Sequence, residues 1–323
     1  MARRATCIIR STHTRPYTFF RKQLAGGGIL LFVIALLPCA NASPPAGWSP
    51  PAPAAFPPGP LGEAVRYGHE LVVHTDRHRT RFKTNGLTCQ SCHLDAGRRA
   101  GAIPLWGAWG VYPRFREASG HVDRMTERIE ACFRFSMNGV PPPPQSSEMI
   151  ALESYVFWLA KGLPIGEEPP GRRFRELPSP QRLPDRLRGK AIYQASCARC
   201  HGPEGQGLRN EQGYVFPPLW GNESYNFGAS MHQLNVAAAF VFANMNQERG
   251  NHLSEQDAWD VAAFVNGHQR PQDPGFAGDT AHTRAQRHTR HMCFYGTRQD
   301  GQLLGQGVPR APSPLPPHKQ AAF

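Results

Sequence analysis

The chain has no apolar run long enough to cross a membrane comfortably. A spanning helix needs about 20 apolar residues, and the apolar stretch from Gly28 to Pro38 falls well short. Strand-like alternation of any length is also missing, which argues against a sheet-based fold. Acidic residues are absent from residues 1–42, where six Arg or Lys stand. Residues 271–323 add six basic and three acidic side chains. Little of the formal charge of +12 therefore belongs to residues 43–270, which hold 24 basic against 21 acidic side chains. Nucleic-acid-binding proteins usually concentrate basic charge on the folded domain. No nucleic-acid partner is expected.

What the N-terminus does have is an export pattern. Arg3, Arg4, Arg10, Arg15, Arg21 and Lys22 form a basic segment, the Gly28–Pro38 run follows, and Ala40-Asn41-Ala42 is a small-x-small cleavage site. Cleavage near Ala42 would leave a periplasmic protein with no stable membrane insertion. Cys7 and Cys39 would leave with that segment. The six remaining cysteines would in an exported protein ordinarily suggest a disulfide framework, but their spacing points elsewhere.

Residues 43–60 are rich in Pro and Ala and read as a stiff, unpacked spacer. Order is expected from Leu61. A second proline-rich linker covers residues 166–184. The segments 61–165 and 185–270 between these breaks repeat one plan: a short helix, a C-x-x-C-H motif, a Leu-Trp-Gly, a methionine, and a closing amphipathic helix. Met137 and Met245 each fall 44 residues after the motif histidine of their half. The expected fold is mainly α, two tandem cytochrome c-type domains made by duplication. Residues 271–323 form a basic tail rich in His and Pro, expected to wrap the surface or stay disordered, and its His282, His288 and His291 could bind a metal.

Cys89-Gln90-Ser91-Cys92-His93 and Cys197-Ala198-Arg199-Cys200-His201 both match the c-type haem attachment signature. Two thiols about one helical turn apart reach the two vinyl groups of one porphyrin, and the next residue offers its imidazole to the iron. Zinc-ribbon pairs stand about 15–20 residues apart, far closer than these two. Two covalent haem c groups are expected, held through Cys89 and Cys92, and through Cys197 and Cys200. His93 and His201 would be the proximal ligands. Met245 is the expected distal ligand of the second iron.

The first half leaves its distal ligand open. Symmetry nominates Met137. Cys132 competes with it, because Met125, Ile129, Cys132, Phe133 and Ser136 recur at helical spacing and turn the thiol inward. Arg128 lies one turn before Cys132 on the same face, and a thiol beside a fixed positive charge is biased toward thiolate. An α-helix cannot comfortably aim residues five apart at one iron. His69, His74 and His78 are weaker candidates. Trp106 and Trp220 are expected to pack on the haems.

Several blocks resemble the TsdA family of thiosulfate dehydrogenases, the dihaem cytochromes that form tetrathionate. These are Asn85 to Gly97, Gly110 to Arg116, Ala258 to Phe264, and above all Arg128-Ile129-Glu130-Ala131-Cys132-Phe133 with Ser136-Met137-Asn138-Gly139. The resemblance covers about residues 60–295. It implies that His93 and Cys132 hold the first, active-site iron, and that His201 and Met245 hold the second, which passes electrons onward. It further implies oxidative coupling of two thiosulfates to tetrathionate, with a periplasmic c-type cytochrome or similar acceptor. Arg128 would help bind the anion, with Arg116 beside it. Departures from the family pattern stand at Ala118, at Asn244 and at Asn246 to Gly250, and bear on affinity, direction and ligand switching.

The residues agree with that chemistry. Thiosulfate is a dianion and needs positive charge, and its soft outer sulfur matches a cysteine. Cys132 is expected to leave the iron and form a transient S–S bond that a second thiosulfate attacks. Two rivals remain at this stage. One is a non-enzymatic dihaem electron carrier with Met137 and Met245 as ligands. The other ties Cys132 to Cys293 in a disulfide.

Overall fold

The structure, a computed structural model, describes residues 48–308 except 79–81, 83, 118, 175, 246–252 and 290–291. The export segment, Ala118 and Asn246 to Gly250 thus lie outside the described residues. Nine α-helices are described in chain order. Helices α1 (Gly59–Val73), α2 (Leu94–Gly97), α3 (Met125–Ala131) and α4 (Ser147–Leu159) belong to the first half. Helices α5 (Arg186–Ser196), α6 (Ala198–His201), α7 (Leu234–Asn244) and α8 (Glu255–Asn266) build the second, and α9 (Thr280–Arg287) lies in the tail.

In each half the first long helix crosses the last. On α1 the buried positions Val65, Gly68, Leu71 and Val72 form one stripe that faces α4. A Cβ at Gly68 would overlap the carbonyl of Ala151, so only glycine lets the two backbones meet. The second half repeats the device: a Cβ at Gly189 on α5 would overlap the carbonyl of Asp260 on α8. Capping sets where these helices start. Ser146 Oγ accepts from Met149 N at 3.3 Å, Asp185 Oδ1 from Leu187 N at 2.8 Å, and Ser254 Oγ from Asp257 N at 3.1 Å. Tyr155 and Tyr193 then tie the crossings to the haem motifs, donating to Ala96 O (2.8 Å) and Gly202 O (2.7 Å).

Strands are present after all, though short. Three two-stranded antiparallel hairpins occur: β1 (Arg114–Arg116) with β2 (His121–Asp123), β3 (Leu208–Asn210) with β4 (Gly213–Phe216), and β5 (Arg298–Gln299) with β6 (Gln302–Leu303). Runs of two to four residues are too brief to leave an alternation signal in sequence.

The proline-rich segments are not free spacers. Trp48 packs edge-on against Trp106 at 5.2 Å, and Phe56 lies against Trp158 at 5.1 Å. Arg98 donates to the carbonyls of Pro50 and Pro51. A chain that cannot form helix can still bury its aromatic side chains, which is what residues 48–58 do. In the second linker, Arg172 Nε donates to Gly107 O (2.5 Å), and Pro178 O accepts from Trp259 Nε1 (3.2 Å). The tail wraps as far as residue 308, where Cys293, Tyr295 and Leu304 bury against Phe227.

The described residues belong to one compact unit, and asparagines join its halves. Asn85 Nδ2 donates to Ser224 O (2.6 Å), Asn226 Nδ2 to Arg134 O (2.8 Å), and Asn244 Nδ2 to Gly101 O (3.1 Å). Phe174 meets Phe240 edge-on at 5.6 Å. Asn244, one of the departures from the family pattern, is therefore a buried clamp between the halves.

Candidate functional site

Three segments converge on a cavity in the first half. Cys89, Cys92 and His93 enter from one side, and Cys132, Ser136 and Met137 from another. Val72, Leu152 and Val156 from the crossed helices supply apolar wall. His93 Nδ1 bonds Ile103 O at 2.5 Å, which orients the ring in the cavity wall. Directly after His93 the chain reverses through two left-handed residues, Asp95 (φ 54°) and Ala96 (φ 49°).

The segment carrying Cys132 is not a continuous α-helix. Helix α3 gives way at Cys132 to a π turn, Cys132–Ser136, closed by Met137 N donating to Cys132 O at 3.1 Å. A π turn bonds residues five apart and brings them toward one face, whereas on an α-helix they splay. Cys132 and Met137 consequently line the same cavity, contrary to the helical projection. Sequence periodicity could not reveal this, because one inserted residue hardly alters a pattern read over ten positions.

The three thiols of this cavity stand in opposite electrostatic surroundings. Burial pushes Cys89 and Cys92 up to about 12. Burial also pushes Cys132 up, but the Arg128 guanidinium, a hydrogen bond with His93 and the field of Arg116 outweigh it and bring Cys132 down to about 7. Arg128 Nη1 donates to Cys132 Sγ at 3.0 Å. Arg116 stands further back on β1, its Nη1 held 2.9 Å from Asp123 Oδ2 across the hairpin. Asp123 is buried and also accepts from Ser119 Oγ at 2.6 Å. Asp123 was not foreseen from sequence; only recognition of the short β1–β2 hairpin would have paired it with Arg116.

In the second half Cys197, Cys200 and His201 form one turn, with His201 N donating to Cys197 O at 2.9 Å. His201 is buried, and burial lowers its pKa. Its Nδ1 bonds Pro217 O at 2.8 Å, the same ring-orienting contact as in the first half. Met245 is half-buried at the end of α7. Val241, one turn earlier on that helix, packs in the same apolar cluster as Cys197. In both halves the donor chemistry fits a covalently held haem: two thiols and an imidazole from one turn, with the imidazole's second nitrogen locked to a carbonyl.

The other candidates have protein partners of their own. His69 packs against Phe56 and Tyr155, and His78 stacks on Phe82. Trp106 donates to Arg98 O and turns toward Trp48, while Trp220 stacks on His268 at 4.2 Å. Cys132 and Cys293 are both free and sit in separate clusters, which overturns the disulfide reading. Among the described residues no helix is long and apolar enough to cross a membrane.

Comparison with known proteins agrees with this layout. Residues 75–165 match the SoxA/TsdA cytochrome c domain, and residues 184–265 match the cytochrome c oxidase cbb3-type subunit III family. A thiosulfate dehydrogenase of Stutzerimonas stutzeri is 45% identical, over 81% of this chain and 86% of its own length. One of Thiomonas intermedia is 43% identical, over 82% and 85%. Among solved structures, the thiosulfate dehydrogenase TsdBA of Marichromatium purpuratum superposes with a TM-score of 0.78 at 46% identity. That match covers 81% of this chain but only 58% of the solved one. These relatives do not favour a mere electron carrier, and the two cytochrome c domains carry two covalently bound haem c groups. Two haem domains in tandem, joined in this order and similar over most of their length to these enzymes, place the chain in the thiosulfate dehydrogenase family.

Proposed function

We propose that the chain couples two thiosulfates into tetrathionate at the first cavity. The observation that carries this reading is the 3.0 Å bond from Arg128 to Cys132 in the cavity that also holds Cys89, Cys92 and His93. Cys89 and Cys92 would attach the first haem, with His93 and Cys132 on its iron. Cys197, Cys200, His201 and Met245 would hold the second. When bound, the two haems supply the sink for the electrons of the reaction.

The residues of the chain do the rest. Arg128 receives the thiosulfate dianion through charge-assisted hydrogen bonds, and Arg116 adds to the local positive field. Arg128 also keeps the Cys132 sulfur in its thiolate form. A bond forms between that thiolate and the outer sulfur of thiosulfate, which releases two electrons. The outer sulfur of a second thiosulfate then attacks the thiosulfate-derived sulfur of this S–S bond. Tetrathionate leaves and the Cys132 thiolate is restored, so atoms and charge balance. The acceptor is a c-type cytochrome or similar periplasmic carrier, and export follows from the basic and apolar N-terminal segment.

Steady-state oxidation of thiosulfate with an artificial electron acceptor tests the reading. The wild-type protein should turn over, and Cys132→Met should lose turnover while both haems stay attached. An inactive wild-type holoprotein would overturn the activity. A fully active Cys132→Met protein would overturn the role of the thiolate.

A further inference from the structure

Away from both haem sites, the described residues include one buried cluster of metal-ligating side chains. His232, His288 and Cys293 are all buried, and one ligand atom from each lies within 4.8 Å of the others. His232 closes the short turn Ser230–His232 before α7, whereas His288 caps α9 and Cys293 follows it in the tail. Two stretches of chain more than 50 residues apart thus converge there. Phe227, Tyr295 and Leu304 close the surroundings with apolar surface.

Hydrogen bonding prepares both imidazoles as ligands. His288 Nε2 bonds Asp273 Oδ2 at 3.0 Å, so its lone pair is on Nδ1, which stands 3.7 Å from Cys293 Sγ. Asp273 is itself held by Arg287 Nε at 3.2 Å. This is the carboxylate–histidine pairing that orients metal-bound imidazoles. His232 Nδ1 bonds Ala229 O at 3.2 Å, which leaves its lone pair on Nε2. That Nε2 is buried and has no hydrogen-bond partner, although a buried polar atom normally finds one. Burial holds His232 neutral, lowering it to about 3.

The distances suit an ion. With metal–sulfur and metal–nitrogen bonds of about 2.3 and 2.0 Å, a tetrahedral angle separates the two ligand atoms by about 3.5 Å. The 3.7 Å between Nδ1 and Sγ needs almost no closure to reach that. One thiolate with two imidazoles, and no carboxylate among the ligands, excludes hard ions and selects a thiophilic one.

We propose that His232, His288 and Cys293 form a binding site for a single thiophilic metal ion, copper(I) or zinc(II), that staples the tail to the second haem domain. Binding displaces one proton from the Cys293 thiol, leaving the thiolate on the metal with no change of redox state. Asp273 positions His288 and compensates charge.

The test uses the purified holoprotein with both haems attached. After treatment with a chelator and desalting, it is titrated with copper(I) or with zinc(II) against a chromophoric competitor. Metal per chain is counted by mass spectrometry alongside the two haem irons. One equivalent of either ion should bind to the wild type and to Cys132→Met, and should raise the melting temperature. His232→Gln and Cys293→Ser should each weaken binding more than about 100-fold, since even an outer partner typically costs 10–100-fold. Their haem spectra should be unchanged. Absence of binding by either ion at micromolar concentration would overturn the site, as would binding that survives both substitutions. If Cys293→Ser does not fold, His232→Gln decides alone.

Discussion

Replacing Arg128 by Gln probes the centre of the proposed chemistry. The side chain donates to Cys132 Sγ at 3.0 Å and is half-buried, so solvent screens it only partly. Gln keeps a polar group on a shorter side chain and removes the charge. A hydrogen bond to a charged partner is worth about 1.5–3 kcal/mol, and each 1.36 kcal/mol of barrier is about tenfold in rate. Loss of the bond to a dianionic substrate therefore predicts a fall of about 10–100-fold in kcat/KM for thiosulfate. Arg128→Lys keeps the charge without the planar fork and should fall between the two. The assay is steady-state oxidation across thiosulfate concentrations, with haem content and the oxidised absorption spectrum measured on the same preparations. A kcat/KM within about threefold of the wild type would refute the reasoning. A loss accompanied by haem loss would instead make Arg128 structural.

Three further outcomes follow from other parts of the structure. Gly68→Ala and Gly189→Ala each force a Cβ into a backbone carbonyl that no rotamer change can move, and each should cost about 1–3 kcal/mol, read as a lower urea midpoint. Cys132→Ala should leave Met137 beside the same cavity, so the ferric protein should show a thioether-ligand absorption band that Cys132→Ala/Met137→Leu lacks. Identical spectra would count against the shared π-turn geometry. Glu168, hydrogen-bonded to Arg173 and flanked by Arg172 and Arg114, is held down to about 2 from its ordinary 4.5. Its contribution is present above 4.5 and is lost as pH falls toward 2. Melting temperatures from pH 6 to pH 2 should thus fall more steeply for the wild type than for Glu168→Gln, and parallel curves would exclude the effect.

The number of haems, the duplicated helical plan and the family block were legible in the sequence because their signals are local. C-x-x-C-H works through neighbours on one turn, and the stripe on α1 repeats at helical spacing. Tertiary structure decided what lies between distant residues. The Arg128–Cys132 pair was visible as a one-turn spacing, but the π turn that brings Met137 in beside it depends on backbone bonding between residues five apart. Arg116 was identified while its partner Asp123 was not, because a three-residue strand pair leaves no periodicity to read. Residues 48–58 looked like a spacer, since proline hides from composition the fact that Trp48 and Phe56 find aromatic partners over 50 residues away. The same limit applies to His232, His288 and Cys293. His288 stood out only as one of several tail histidines that could bind a metal, and only the folding of the tail onto the second haem domain joins it to His232 and Cys293 as a common set of donors.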